Sequence, residues 1–185
     1  MAKVKGVALI SRLQTIKSEF GQESLDKVLE NMKSQNREML ASTIPSSWYD
    51  ADIFKDFNES IQRTLSSVHS NIMERIGELT AEESLKGVYK TRLKEGDVYQ
   101  TLSRAALLWK AFHDTGELSV EMTEGEKKVI LRVAGFALPH VENCKNLIGW
   151  GRRMIELSGG TNVKIEETKC MNRGDECCEM VAVWD

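Results

Sequence analysis

Apolar side chains along the first two-thirds of the chain recur at helical spacing. Leu9, Ile10, Leu13, Ile16 and Phe20 form one stripe, which Gly21 interrupts, and Leu25, Val28, Leu29 and Met32 form a shorter second stripe. The segment Ile44-Pro45-Ser46-Ser47-Trp48-Tyr49-Asp50 breaks the pattern, because Pro45 cannot occupy a helix interior and Asp50 can cap the helix that follows. Ile53, Phe54, Phe57, Ile61 and Leu65 give a third stripe, and Ile72, Ile76 and Leu79 a fourth. Thr80-x-x-Glu83 reads as a capping box that opens a further helix. Gly96-Asp97 opens a long helix through Val98, Leu102, Ala105, Leu108, Trp109 and Phe112, which stops at Gly116.

Beyond Gly116 the period falls to two. Leu118, Val120 and Met122 alternate with polar residues, a turn follows at Thr123-Glu124-Gly125-Glu126, and Val129, Leu131 and Val133 alternate again. Pro139 starts one more helix, with Val141, Cys144, Leu147, Ile148, Met154 and Ile155 on one face and Gly159-Gly160 at its end. Residues 161–170 and 178–184 read as two further strands. The expected class is α+β: a helical N-terminal part followed by β-β-α-β-β, an antiparallel sheet packed on helices. Residues 1–50 form an expected N-terminal helical segment and residues 51–185 the main domain. Two glycines flank Trp150 inside the last helix, at about 1 kcal/mol each, which close approach of another backbone or room for a ligand would explain.

Composition narrows the function classes. Hydrophobic residues make up 41% of the 185 residues and charged ones 29%, as expected of a chain that builds a proper core. The net charge is −3 with both signs scattered, so no basic patch points to nucleic acid. The apolar run Val7–Ile10 is too short for an export signal, and no run approaches a membrane span. The expectation is a cytoplasmic protein whose thiols stay reduced.

Three of the four cysteines fall within KCMNRGDECCEM, residues 169–180. Glu167-x-x-Cys170, Cys178 across the turn, and Cys144 near the start of the preceding helix could converge as metal ligands. Packed core cysteines, a redox pair or a reactive thiol fit the same spacing, which lacks any familiar zinc-finger pattern. On spacing alone, core cysteines lead. Cys177 and Cys178 point to opposite sides of a strand, so only one can join Cys170.

The segment NLIGWGRRMIELSGGTNVKIEETKCMNRGDECCEMVAVW resembles the C-terminal signature of V4R (4-vinyl reductase-like) domains: a helix ending in Gly-Gly, a strand, then Cys, a Gly-Asp turn, and Cys leading into the last strand. VKGVALISRL followed by IPSSWYD resembles a group of small bacterial proteins built around that domain. The resemblance implies the Bet3-like fold of transport-particle subunits, with 51–185 as a V4R-like ligand-binding domain. It also implies structural zinc on Cys144, Glu167, Cys170 and Cys178, with Cys177 left over.

The same resemblance implies a cavity for a small apolar or aromatic molecule between helices and sheet. Trp109, Phe112, Phe136 and Trp150 are the candidate lining, with ordinary core packing as the competing reading. The polar groups with which phenol-sensing relatives hold their effector are not recognisable. His113 and His140, at the ends of elements, read as solvated or capping residues. No nucleophile triad, phosphate loop or paired catalytic carboxylates can be argued. The function expected is therefore a non-enzymatic, sensor-like V4R domain with structural zinc, signalling through protein contacts and homodimerisation. A Bet3-like structural adaptor is the alternative, and an enzyme-accessory role a weaker third.

Overall fold

The computed structural model describes residues 1–86, 94–122 and 125–185. The helical part comprises α1 (Gly6–Glu30), α2 (Ser34–Ala41), α3 (Ala51–Leu65) and α4 (Ile72–Lys86). Two short strands, β1 (Lys3–Lys5) and β2 (Trp48–Asp50), pair antiparallel beside them. Gly21 breaks α1 with a φ of 84°, a conformation that favours glycine. Asp50 caps α3, its carboxylate accepting from the Asp52 amide at 3.0 Å. The apolar stripes meet in one cluster that includes Val4, Leu9, Ile16, Phe57, Ile61, Ile72 and Ile76, and so runs across residue 50.

Two local expectations differ from the structure. Thr80 does not begin a helix: α4 continues through it, and the Thr80 hydroxyl donates to the Ile76 carbonyl one turn back. The helix expected from Gly96 to Gly116 is two pieces, α5 (Val98–Ala106) and α6 (Trp109–Phe112), with Asp97 capping the first by accepting from the Gln100 amide. The break re-aims Trp109 and Phe112. Of the expected hairpin turn, Thr123 and Glu124 lie outside the described residues.

The second half carries β3 (Glu117–Met122), β4 (Lys128–Ala134), α7 (Val141–Leu157), β5 (Lys164–Lys169) and β6 (Cys177–Val183). The four strands form an antiparallel sheet in the order β3-β4-β6-β5. Val129, Leu131 and Val133 of β4 and Cys178, Met180 and Ala182 of β6 are buried. The register sets Val129 beside Ala182, Leu131 beside Met180 and Val133 beside Cys178. On the solvated face Arg132 reaches Glu179 at 2.6 Å and Glu121, so one face is a core and the other is ionic.

Helix α7 is held between this sheet and α4, and its glycines are the reason it fits. A Cβ on Gly149 would overlap the Glu74 carbonyl of α4, and one on Gly77 would overlap the Asn146 carbonyl of α7. Gly151, on the opposite side, would set a Cβ 3.1 Å from Leu131 Cδ1 of the sheet. Close backbone approach thus explains the paired glycines. Arg152 fastens the contact through Glu74 at 2.9 Å and Glu78 at 3.2 Å. Gly149→Ala is expected to cost about 3 kcal/mol, at the upper end for overpacking because the obstacle is backbone, read as a lowered urea midpoint.

Candidate functional site

A cavity of about 510 Å³ lies where α1, α4, α5, α6 and α7 converge. Its wall is mainly apolar and includes Trp109, Phe112, Leu118, Leu147 and Trp150. Three of the four aromatics expected to line a pocket do so. Phe136 instead packs edge-on behind Trp109, with ring centres 5.3 Å apart. Trp109 is fixed by its indole N–H, which donates to the Thr115 carbonyl at 3.0 Å.

His113 also lines the cavity, directly after α6. Its ring lies against Trp109 with centres 4.3 Å apart, and Phe136 and Phe54 meet it edge-on at 5.3 and 6.1 Å. Backbone pairing with Val4 holds the residue from the other side. Burial, followed by the nearby charge of Arg12, pushes the imidazole down to about 4. It is therefore neutral at ordinary pH, and its buried Nδ1 has no hydrogen-bond partner.

Arg12 projects into the same space from α1 and is only 4% exposed. It donates to the side-chain oxygens of Asn58 and, at 2.9 Å, Asn146, and its guanidinium lies 4.6 Å from the centre of the Phe54 ring. Burial alone pulls it down to about 9, and no carboxylate among the described residues pairs with it. Asn58 continues to His140, whose Nε2 is 2.9 Å from the amide nitrogen, while Nδ1 lies 3.2 Å from the Leu138 carbonyl. This pattern makes Nδ1 the protonated nitrogen and Nε2 an acceptor. Both histidines stand at cap positions, His113 at the end of α6 and His140 before α7, but His140 is buried and His113 half-buried rather than solvated.

A second cluster joins α7 to the sheet. Cys144 Sγ lies 3.5 Å from Cys178 Sγ and 3.9 Å from Cys170 Sγ. With a Glu167 oxygen, the ligand atoms of these residues all fall within 4.8 Å of one another. The Met171 amide donates to Cys178 at 3.4 Å, and a turn at Met171–Arg173 folds the connection back. Hydrogen bonding from Cys144 is the chief cause that lowers the Cys178 thiol to about 6, and the same bond with burial raises Cys144. Arg173 holds Glu167 Oε2 at 2.7 Å, whereas Oε1 is buried without a partner. All four cysteines are free thiols, and Cys177 stands outside the cluster.

No protein-family model matches the chain, and no curated protein matches it in sequence. Solved structures do. An H-NOX protein from S. oneidensis in the Fe(II)NO state superposes with a TM-score of 0.70 at 11% identity, over 98% of this chain and 99% of that one. The Fe(II) unliganded H-NOX protein from K. algicida gives 0.70 at 10%, over 98% and 96%. The H-NOX domain of Shewanella oneidensis in the Fe(II)CO state gives 0.69 at 11%, over 98% of each. The chain has the H-NOX fold.

That finding corrects the family reading. The V4R and Bet3-like assignment is overturned, and with it the expected V4R sensor function and the adaptor alternative. The structural zinc implied by the V4R resemblance falls too, since the matched proteins are described by their haem and its iron. The resemblance rested on a Gly-Gly helix end, a Cys-turn-Cys hairpin and the short segments VKGVALISRL and IPSSWYD, local features that do not fix how the helices pack. Among the described residues no helix is long and apolar enough to cross a membrane.

The buried His140 predicts a pH dependence. Burial holds it down to about 4 against an ordinary 6.5, so below 6.5 the unfolded chain binds a proton that the folded chain resists. Its contribution, about 3 kcal/mol, is complete above pH 6.5 and lost as pH falls to 4. Urea midpoints across that range should fall for the wild type and fall less steeply for His140→Gln.

Proposed function

We propose that this chain is a ligand-binding domain of the sensor type, with the cavity beside His113 as its ligand site and haem as its occupant. One observation carries the reading: a mainly apolar cavity of about 510 Å³ has on its wall a neutral histidine with an unpartnered ring nitrogen. Such volumes suit organic ligands, and a neutral imidazole is a common iron ligand. The donors fit the group, one imidazole and one cation in an apolar wall. The H-NOX likeness supports the same reading.

Haem would supply an iron able to take a small gas, as in the NO and CO states of the matched proteins. His113 would offer it a nitrogen, and Trp109 holds that ring in place. Trp150, Phe112 and Leu147 would keep water from the ligand. Titrating ferric haem into the purified protein should give a shifted Soret band saturating at about one haem per chain. His113→Ala should lose or shift that band. Identical spectra for wild type and variant would reject His113 as the iron ligand, and no saturable band would reject haem.

The sulfur cluster supports a second, separate reading. Cys144, Glu167, Cys170 and Cys178 act as one ligand set for a thiophilic metal ion, which the unpartnered Glu167 Oε1 and the close sulfurs favour. The set spans two elements, with Cys144 on α7 and the other three residues in or beside the β5–β6 hairpin. Elemental analysis of protein purified without chelator should find bound metal in the wild type. Cys170→Ser should lower both metal content and thermal midpoint, and equal metal content in the two would reject the set.

A further inference from the structure

We infer that the cavity recognises a carboxylate carried on an apolar body, and that Arg12 is the residue that binds it. The inference rests on the cavity being the ligand site, and it names the chemistry of the ligand's polar end whether or not that ligand is haem.

A buried cation is costly unless an anion meets it. Arg12 is enclosed, yet its hydrogen-bond acceptors are two neutral amides, Asn58 from α3 and Asn146 from α7. Those amides orient the guanidinium without cancelling its charge. Phe54 lies against one face of the group, and Asn146 is itself held by donating to the Met73 carbonyl at 3.3 Å. The one carboxylate on the cavity wall among the described residues, Glu83, is exposed and accepts from the hydroxyls of Ser11 at 3.4 Å and Thr15 at 3.1 Å. A cation is thus held rigidly beside an apolar space, and its counter-ion among the described residues is missing.

Three features select the ligand class. The guanidinium is a planar fork of five donors that matches a carboxylate two-to-two. Among the described residues it is the only lysine or arginine on the cavity wall, which suits one negative charge better than the two of a phosphate monoester. The apolar wall demands that the rest of the ligand be hydrocarbon or aromatic. An aliphatic or aromatic acid meets these demands, as does a haem propionate.

The test compares cis-parinarate with its methyl ester, followed by fluorescence, in wild type, Arg12→Met and Arg12→Lys. The wild type should bind the acid about tenfold tighter than the ester or more, as a charge-assisted contact implies. Arg12→Met should bind the ester as before and lose the preference, while Arg12→Lys, which keeps the charge, should retain part of it. Equal binding of acid and ester by the wild type, a preference that survives Arg12→Met, or binding of neither probe would overturn the inference. An intact acid preference with no haem spectrum rejects haem and keeps the carboxylate site; a haem spectrum with acid and ester bound alike does the reverse.

Discussion

The backbone contact between α4 and α7 is the constraint from which both sites follow. Where Gly77 and Gly149 let the two helices meet without side chains between them, backbone packs directly on backbone and α7 is seated against α4. One side of α7 then delivers Asn146, Leu147 and Trp150 to the cavity. Near its start, Cys144 reaches the sulfurs at the end of the sheet. The two sites are thus built on one rod clamped by α4 on one flank and by Leu131 and Ile165 of the sheet on the other. A looser helix pair would blur the cavity and the sulfur cluster together.

Much of this was legible in the alternation of residue types. Period-two segments located β3 and β4 because a sheet with one solvated face must alternate, and the cap at Asp50 followed from its place before an apolar stripe. The break between α5 and α6 was not legible, because Leu107 and Leu108 continue the helical pattern while the chain turns. The convergence of Cys144, Glu167, Cys170 and Cys178 was foreseen as a set of candidates, but the spacing could not separate ligands from core. The fold's relatives were misread because the segments that carried the resemblance are local and leave the packing of the helices open.

The cavity's polar end left a signal that went unread. Arg12 sits between Leu9 and Ile16 on the buried stripe of α1, and Asn58 sits between Phe54 and Ile61 on that of α3. Charged and amide side chains at core positions of amphipathic helices seldom survive without partners. Their partners here are one another, across residues 12, 58, 140 and 146. Only the packed structure shows that this network stops at a cavity rather than closing on itself.

Val4 has neighbours on both sides: it pairs with Tyr49 in β2, and on its other edge it bridges His113. The next residue of β2, Asp50, is paired with Lys3 and caps α3. A strand bonded along both edges cannot slide past one neighbour while staying fixed to the other. His113 is therefore mechanically geared, through three residues of β1, to the start of the helix that supplies Phe54 and Asn58. A displacement at the histidine would travel outward along backbone and return to the cavity through Asn58, so the aromatic and polar ends of the site are coupled by a loop of chain that contains no ligand atom.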